Sequence, residues 1–566
     1  MNPKTYPRPN RVGRRRLAIV AVVTAALATA LTTALAGPVN ADTAPSDPGS
    51  PSTPTTVSAD ALPAPQIDGV VWTQAIAGNT VWAAGSFTTA RPAGVALGGA
   101  GTVPRFNVLS YNLTTGVLNA GFAPQVNGAI RAIAVDSTGQ HLWLGGSFTQ
   151  VGGRTANHIA ELNAQTGAVL TGFRGNINGT VNALALRSDK NTLFVGGGFS
   201  SADLKKHFNL AALTANAGTL RNWSPTATGG TVQAIAVAPD YSRVVVGGAF
   251  TALNSVANPG YGIGSLNPST GQHQTWAMNS VIRNGGKNAA ITTLAADSTG
   301  LYGGGYTYGS GGNLEGTFRA DWKTGNLVWM EDCHGDTYSV AVTPTAEYVA
   351  GHAHYCGNVG GFVDEKATNY RGIAFSKAAT QTITTNPVSG YANFAGQPAP
   401  SLLQWYPNFN VGTYTGQGQG PWSVAATSQY VVYGGEFTTV NGVAQQGLVR
   451  FAVSSIAPNK MGPQAVGQDL MPTSTVSYNR PTLSWQSDYD PDNKTLTYEI
   501  WRRDPQATTY TQIASVKGDS SVWNRPTMSW TEPNSLAAGK YFYEIVAVDP
   551  FGNQAIGQQT PVTVGG

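Results

Sequence analysis

The chain has 566 residues, too many for one ordinary hydrophobic core, so two or more domains are expected. Only 11% of the residues are charged and Gly occurs 69 times, which excludes a helical protein rich in ion pairs and predicts an all-β chain with many turns. Six of the 33 basic residues lie in the first sixteen positions, and the rest of the chain carries 27 basic against 29 acidic residues. This near-neutral remainder disfavours nucleic-acid binding.

Residues 1–41 have the three parts of an export signal. A basic stretch precedes an apolar run over residues 17–36, and Val39 and Ala41 are the small residues expected before a cleavage site. The alternative is an uncleaved anchor, because about 20 apolar residues can span a bilayer. Ala and Thr make this run only mildly apolar, so we expect a secreted, extracellular protein with no membrane span after signal removal. Arg14 and Arg15 leave both Sec and twin-arginine export open.

A unit of about 45 to 60 residues recurs through the middle of the chain. One copy has an apolar run over residues 129–135, a second run that ends in Gly145-Gly146, a third over residues 159–163 and an aromatic residue, Phe173, so four strands per unit are implied. The second strands of the successive copies contain Ala84-Gly85, Gly145-Gly146, Gly196-Gly197, Gly247-Gly248, Gly303-Gly304, Gly351-His352 and Gly434-Gly435.

Seven four-stranded units that cannot bury both faces alone predict a seven-bladed β-propeller over residues 63–455. The seventh unit ends after its third strand, near Phe451. Residues 42–62 are rich in Ser, Thr, Pro and Ala and are expected to form a linker. We expect residues 57–62, at its end, to supply the missing strand and to close the propeller.

The units share a hydrophobic-Gly-Gly-x-Phe-Thr element and an Asn-x-x-Thr-Gly element, as in Gly145 to Thr149 and Asn163 to Gly167. In this they resemble the bacterial propeller repeats called delta-60 repeats, which occur in large secreted actinobacterial proteins. The resemblance covers residues 63–455. It implies a fold and no particular reaction, because propellers carry many unrelated functions.

After a second linker over residues 456–471, alternating apolar strands predict a β-sandwich over residues 472–566. This segment looks like a fibronectin type III domain, with Trp485 and Ile500 in its core and Tyr541 as the corner tyrosine. Such modules often act as spacers beside catalytic or carbohydrate-binding domains.

An acidic loop of this domain contains Asp488, Asp490 and Asp492. Alternating carboxylates could bind calcium, but the loop lacks the Gly and the distal Glu of a full calcium-binding loop. A solvated turn is the favoured interpretation.

The sixth unit departs most from the others and contains both cysteines, Cys333 and Cys356. Cys333 precedes the first strand of the unit and Cys356 follows the second. Because these two loops lie at the same rim of an antiparallel sheet, the cysteines should be neighbours. In an exported protein they are expected to form a disulfide.

The same unit places His352 where a Gly stands in the other copies and His354 where the Phe stands. No cofactor is expected, but a divalent metal such as zinc or copper could be held by His334, Asp336, His352 and His354. Against this, second strands are usually buried, which favours hydrogen-bonded core histidines. Asp336, His352 and His354 are also candidates for catalysis.

Two further groups of residues have ordinary explanations. The aromatic residues that end the units are assigned to packing between sheets, because they share one repeat position: Phe122, Phe173, Trp223, Trp276 and Trp329. A glycosidase acid and base could come from the carboxylates of the sixth unit, although a solvated rim is favoured: Glu331, Asp332, Asp336, Asp364 and Glu365.

With a repeat scaffold and no catalytic motif, the leading hypothesis is an extracellular monomer that binds a polysaccharide or another cell-surface component. The first alternative is a secreted glycoside hydrolase or polysaccharide lyase that uses the sixth unit. The second is a metal-dependent oxidase, by analogy with propellers that carry a C-terminal sandwich. The sequence does not decide whether the protein is an enzyme.

Overall fold

The structure is a computed structural model that describes residues 53–187, 189, 191–363 and 368–565. Over these residues the fold is all-β, as predicted, with no α-helix and with short 3-10 helices at Ala277–Ser280, Gly357–Val359 and Gln468–Leu470. No helix in this part of the chain is long and apolar enough to cross a membrane. The expected export signal and residues 42–52 of the expected linker lie outside the described residues.

Seven small antiparallel sheets follow one another through residues 70–452, numbered sheets 1 to 7 in chain order. Their strands are Val70–Ala77, Thr80–Ser86 and Val108–Asn112 in sheet 1; Ile130–Val135, His141–Gly146 and Ile159–Asn163 in sheet 2; Thr180–Arg187, Thr192–Gly198 and Leu210–Thr214 in sheet 3; Val232–Val237, Val244–Gly248, Ile263–Leu266 and His273–Gln274 in sheet 4; Ala289–Asp297, Gly300–Thr307, Gly316–Ala320 and Leu327–Met330 in sheet 5; Thr337–Val342, Ala346–Ala353 and Tyr370–Ser376 in sheet 6; and Pro421–Ala426, Tyr430–Gly435 and Leu448–Ala452 in sheet 7.

Short ladders of two or three strands lie outside these sheets. They are formed by Gln66–Ile67, Thr89–Arg91 and Val103–Pro104; Gln150–Val151 and Arg154–Thr155; Ser201–Ala202 and Lys205–Lys206; Ala227–Thr228 and Ala252–Leu253; Gln381–Thr382 and Pro398–Ala399; and Thr439–Val440 and Val443–Ala444.

The sheets form a closed cycle. The first strand of each sheet packs against the first strand of the next, and the first strand of sheet 7 packs against that of sheet 1. Because neighbours cover both faces, the second strand Tyr430–Gly435 is buried along its whole length. Indole N–H groups tie neighbouring sheets together: Trp82 donates to the carbonyl of Ala164 at 2.9 Å and Trp143 to that of Ala215 at 2.8 Å.

The aromatic residues at the ends of the units belong to this core. All five are buried, which confirms their assignment to packing: Phe122, Phe173, Trp223, Trp276 and Trp329.

Within the described ranges, five of the seven sheets have three strands and not the four that the repeat pattern predicts. Among the described residues, a fourth strand is present in sheets 4 and 5, whereas in sheets 1, 2, 3 and 6 a single bridge joins the third strand to the segment that follows it, as between Tyr111 and Leu118. In sheet 7 the partner comes from the N-terminal segment. The N–H of Leu62 donates to the carbonyl of Arg450 at 2.7 Å, and the N–H of Ser58 donates to that of Ala452 at 2.9 Å. Residues 57–62 therefore lie along the open edge of the last sheet.

The C-terminal residues form two more antiparallel sheets packed around a buried core that includes Trp485 and Ile500. Tyr541 donates its hydroxyl hydrogen to the carbonyl of Ala537 at 3.0 Å. One sheet contains Thr473–Ser477, Arg480–Gln486 and Thr527–Thr531, and the other contains Thr495–Arg503, Thr511–Asp519, Gly539–Val548, Gln554–Ile556 and Thr560–Val564.

Candidate functional site

The first strand of every one of the seven sheets has a β-bulge near its start. In sheet 2, for example, Ile130 pairs with Gly146 and Ala132 with Gly145, so Arg131 between them has no partner in the ladder. A glycine is needed at Gly146, because a Cβ there would lie 2.1 Å from the carbonyl oxygen of Ala129, just before the first strand. The seven unpaired residues, here called the bulge ring, are Trp72, Arg131, Asn182, Gln233, Thr292, Tyr338 and Trp422.

Four members of the bulge ring form a continuous arc across sheets 2, 1, 7 and 6. The guanidinium carbon of Arg131 lies 4.1 Å from the ring centroid of Trp72. The rings of Trp72 and Trp422 are 4.9 Å apart, and those of Trp422 and Tyr338 are 4.2 Å apart. All three aromatic side chains are only partly buried. The arc therefore presents aromatic surface to solvent where the first strands of the cycle begin.

A polar chain continues from Tyr338. Its hydroxyl donates to the Oδ2 of Asp336 at 3.1 Å and lies 3.0 Å from the Nδ1 of His352. The Nε2 of His352 accepts the N–H of Asp336 at 3.3 Å. Desolvation lowers the pKa of His352, which favours the neutral imidazole, and Nδ1 then carries the proton and donates it to Tyr338. The result is an ordered relay from His352 through Tyr338 to Asp336.

Glu315 lies beside this relay and was not found from the sequence. Its Oε2 accepts the N–H of Gly335 at 2.8 Å. Burial, together with repulsion from the neighbouring Asp336, raises the pKa of Glu315 to about 7. A signal was present, because Asn107 and Asn209 stand at the equivalent position before the third strand of their own sheets, both with positive φ, and Glu315 breaks that pattern.

A second carboxylate, Glu436, supports Trp422. The indole N–H of Trp422 donates to its Oε1 at 2.9 Å, and the backbone N–H of Thr415 donates to its Oε2 at 2.8 Å. The Thr415 hydroxyl also donates to Oε1. Glu436 is buried, and both of its oxygens already accept hydrogen bonds. It therefore holds the orientation of the tryptophan.

Cys333 and Cys356 form a disulfide, as the sequence predicts. The adjacent His334 is fully buried between two tyrosine rings, with centroids 4.4 Å away for Tyr355 and 3.6 Å away for Tyr391. Its Nε2 lies 3.6 Å from the Oδ2 of Asp332. The stack explains why this loop contains a histidine.

The proposed metal ligands are not brought into one cluster. His352 and Asp336 belong to the relay, whereas His334 lies in the tyrosine stack and His354 lies between them, with ring centroids 6.1 Å from His334 and 6.4 Å from His352. Across residues 53–187, 189, 191–363 and 368–565, no group of three or more His, Cys, Asp or Glu side chains is placed to hold a metal ion.

The expectation of a solvated carboxylate rim in the sixth unit is wrong for Glu331 and Asp332. Both are about 1% exposed. Glu331 accepts the backbone N–H of Thr317 and, at 2.8 Å, that of Cys333. Burial raises its pKa to about 8. Of the predicted carboxylates that the structure describes, Asp336 is the one that belongs to the relay. Asp364 and Glu365 lie outside the described residues.

The expectation of a solvated turn at the acidic C-terminal loop is also wrong. Asp488 and Asp490 are fully buried and Asp492 is nearly so. Asp488 accepts the N–H of Ala465 at 2.7 Å. Asp492 accepts the N–H of Ala59 at 2.6 Å. Burial of Asp490, together with repulsion from the carboxylate of Asp492, raises the pKa of Asp490 to about 9. The loop is buried because it packs against residues that lie far away in the chain.

A cleft of about 390 Å³ lies beside this loop. Its lining includes Arg371 of sheet 6, Tyr406 and Phe409 from the segment between sheets 6 and 7, and Tyr489 and Pro491 of the loop. The N–H of Tyr406 donates to the carbonyl of Pro491 at 2.9 Å, which ties that segment to the loop.

The chain matches no family model and no curated protein. Similar solved structures include a chain of a mitotic checkpoint complex, with a TM-score of 0.39, 11% identity and coverage of 70% of this chain and 95% of that one. Another is Sqt1 of Saccharomyces cerevisiae, with a TM-score of 0.35, 11% identity and coverage of 70% and 99%. A third is an oligogalacturonate lyase in complex with manganese, with a TM-score of 0.25, 9% identity and coverage of 70% and 92%. Similarity at this level carries no functional argument.

Proposed function

We propose that sheets 1 to 7 are the blades of a seven-bladed β-propeller, built from repeats of the delta-60 type and followed by a fibronectin type III domain. The closed cycle of first strands supports the propeller, as does the N-terminal segment on the open edge of sheet 7. The hydrogen bond of Tyr541 to a carbonyl upstream supports the type III domain, in which a corner tyrosine makes such a contact. The domain boundaries expected from the sequence are part of this proposal.

The function that the geometry supports best is binding of a polysaccharide at the bulge ring of a secreted, monomeric protein. The observation that carries it is the arc of Trp72, Trp422 and Tyr338, in which Trp422 contacts the rings on either side and all three rings are partly open to solvent. Apolar sugar faces pack against aromatic rings, while sugar hydroxyls need polar groups at the edge of the same surface. Asp336 and His352 stand at that edge.

The C-terminal domain would act as a rigid spacer in this proposal. Its loop accepts hydrogen bonds from residues 58 and 59, and Trp523 contacts the rings of Phe362 and Tyr406, which belong to the propeller part. A spacer held by such contacts would keep the bulge ring at a constant orientation.

A second candidate function is hydrolysis or elimination of a polysaccharide at the same place. The observation that favours it is Glu315, whose pKa of about 7 suits a general acid, next to Asp336. Release of products from a polysaccharide by the wild-type protein and its loss in Glu315→Gln would support this candidate. Binding without product release would leave the protein a binding protein.

Calorimetric titration with a panel of neutral and acidic hexasaccharides tests the proposal. Trp72→Ala and Trp422→Ala are expected to weaken binding by about tenfold or more each, because each removes stacking surface. Tyr478→Ala is the control, since Tyr478 is 92% exposed in the C-terminal part, away from the ring. Failure of every hexasaccharide to bind, or unchanged affinity in both tryptophan variants, contradicts the proposal.

A further inference from the structure

The bulge ring has one charged member, Arg131, and its surroundings leave the charge available to a ligand. The other six members are aromatic or neutral polar residues. Among the described residues, Arg131 makes no ion pair, and its guanidinium lies over the face of Trp72. The side chain is exposed, although desolvation by the surrounding protein lowers its pKa. Arginine stays protonated under such a shift.

The carboxylates of the site do not neutralise this charge. Asp336 accepts the hydroxyl of Tyr338, and Glu436 accepts hydrogen bonds from Trp422 and Thr415. Both lie on the Tyr338 and Trp422 side of the arc, whereas Arg131 lies at its other end, beyond Trp72. A second arginine, Arg371, acts electrostatically on Tyr338 and His352 at that side. The arc therefore has Arg131 at one end and a mixed group of acidic and basic side chains at the other, separated by aromatic surface.

A guanidinium packed on an aromatic ring has lost part of its conformational freedom before a ligand arrives. Its N–H groups lie at the edge of the plane and match the two oxygens of a carboxylate. A neutral hydroxyl would use only part of this donor set. The best match is an anionic group on a ring that can pack against Trp72 or Trp422.

We propose that the bulge ring selects an acidic polysaccharide, with Arg131 binding the carboxylate of a uronic acid unit. This inference rests on the proposed polysaccharide-binding function and specifies its ligand class. The uronate carboxylate pairs with the guanidinium, the sugar ring packs on the tryptophans, and hydroxyls of the next unit reach Asp336 and His352.

The test compares uronate-containing hexasaccharides of glucuronic, galacturonic and mannuronic acid with the same hexasaccharides after carboxyl reduction. The full chain is titrated with each by calorimetry, as wild type, Arg131→Gln and Arg131→Lys. Arg154→Gln is the matched control, because Arg154 is an exposed arginine that follows the same sheet's second strand and lies outside the ring.

For at least one uronate, Arg131→Gln is expected to weaken binding about tenfold or more, while affinity for its reduced form changes less than about twofold. Arg131→Lys should retain part of the affinity, and added salt should weaken the wild type more than Arg131→Gln. Equal wild-type affinity for acidic and reduced forms overturns this inference and leaves polysaccharide binding in place. Absence of binding to either form overturns both.

Discussion

The backbone N–H of Ala59 donates a 2.6 Å hydrogen bond to the Oδ2 of Asp492, across 433 residues of sequence. The same oxygen accepts the hydroxyl of Ser58 at 3.0 Å. Asp60 in turn accepts the N–H of Met461 at 2.7 Å. Residues 58–60, which lie on sheet 7, are thus also hydrogen-bonded to the C-terminal part of the chain.

Asp492→Ala is expected to destabilise the protein by about 1–3 kcal/mol, because two buried donors on residues 58 and 59 lose their acceptor. Asp492→Asn keeps an acceptor oxygen and should lose less. Chemical unfolding followed by intrinsic fluorescence measures the difference. Asp519→Ala, at a side chain that is half exposed, is the control. Equal stability of Asp492→Ala and wild type would show that the contact contributes nothing.

Removing the closing segment is expected to lower the melting temperature. A chain beginning at Gly69 lacks the hydrogen bonds that residues 58 and 62 make with Ala452 and Arg450. It also lacks the Pro63 carbonyl, which accepts the Nε–H of Arg450 at 2.8 Å. Calorimetry should show a lower melting temperature than for a chain beginning at Asp42, which keeps the segment. Identical melting temperatures would mean that the segment does not close the cycle.

The disulfide should contribute about 3 kcal/mol to stability, the amount expected when a bridge closes a loop of this size, here a sequence separation of 23. The double variant Cys333→Ser, Cys356→Ser is expected to unfold at correspondingly lower denaturant concentration. Reductant should shift the wild type toward the double variant and leave the variant unchanged. If reduction and substitution both leave the unfolding midpoint unaltered, the bridge does not limit unfolding.

The repeat could be predicted because its cause is local. A Cβ on Gly146 would collide with the backbone of Ala129, and one on Gly145 would collide with Val181 of the next sheet. The Gly pair or a close equivalent therefore returns in every sheet and is visible as a pattern. The residues at the ends of the units recur for the same reason, since Trp223 and Trp329 fill equivalent spaces between sheets. The disulfide followed from the rim that its two loops share.

The bulge ring could not be predicted, because its position is defined by backbone pairing and not by residue type. Trp72, Arg131 and Thr292 occupy equivalent places and share no chemistry. The burial of Asp492 was missed for a different reason. An acidic loop suggests solvent exposure, and the residues that cover it, such as Ala59, come from the far end of the chain.

Stability is expected to fall as the pH rises through about 8, because burial raises the pKa of Glu331 to about 8 from an ordinary value of 4.5. Burial and repulsion from Glu331 also raise the pKa of Glu347. Between about pH 4.5 and pH 8, Glu331 keeps its proton in the folded state and has released it in the unfolded state. The stabilising contribution of this proton is therefore complete below about pH 4.5 and is lost as the pH rises through about 8.

Melting temperatures at pH 6 and pH 9 test this prediction. The lowered pKa of His352 acts in the opposite sense, favouring the folded state as the pH rises from acid, so the informative quantity is the difference between variants. Glu331→Gln cannot ionise and should lose less stability between the two pH values than the wild type. Glu499→Gln, on the C-terminal strand Thr495–Arg503, should behave as the wild type does. An equal loss in Glu331→Gln and wild type would mean that Glu331 is not the group whose ionisation weakens the fold.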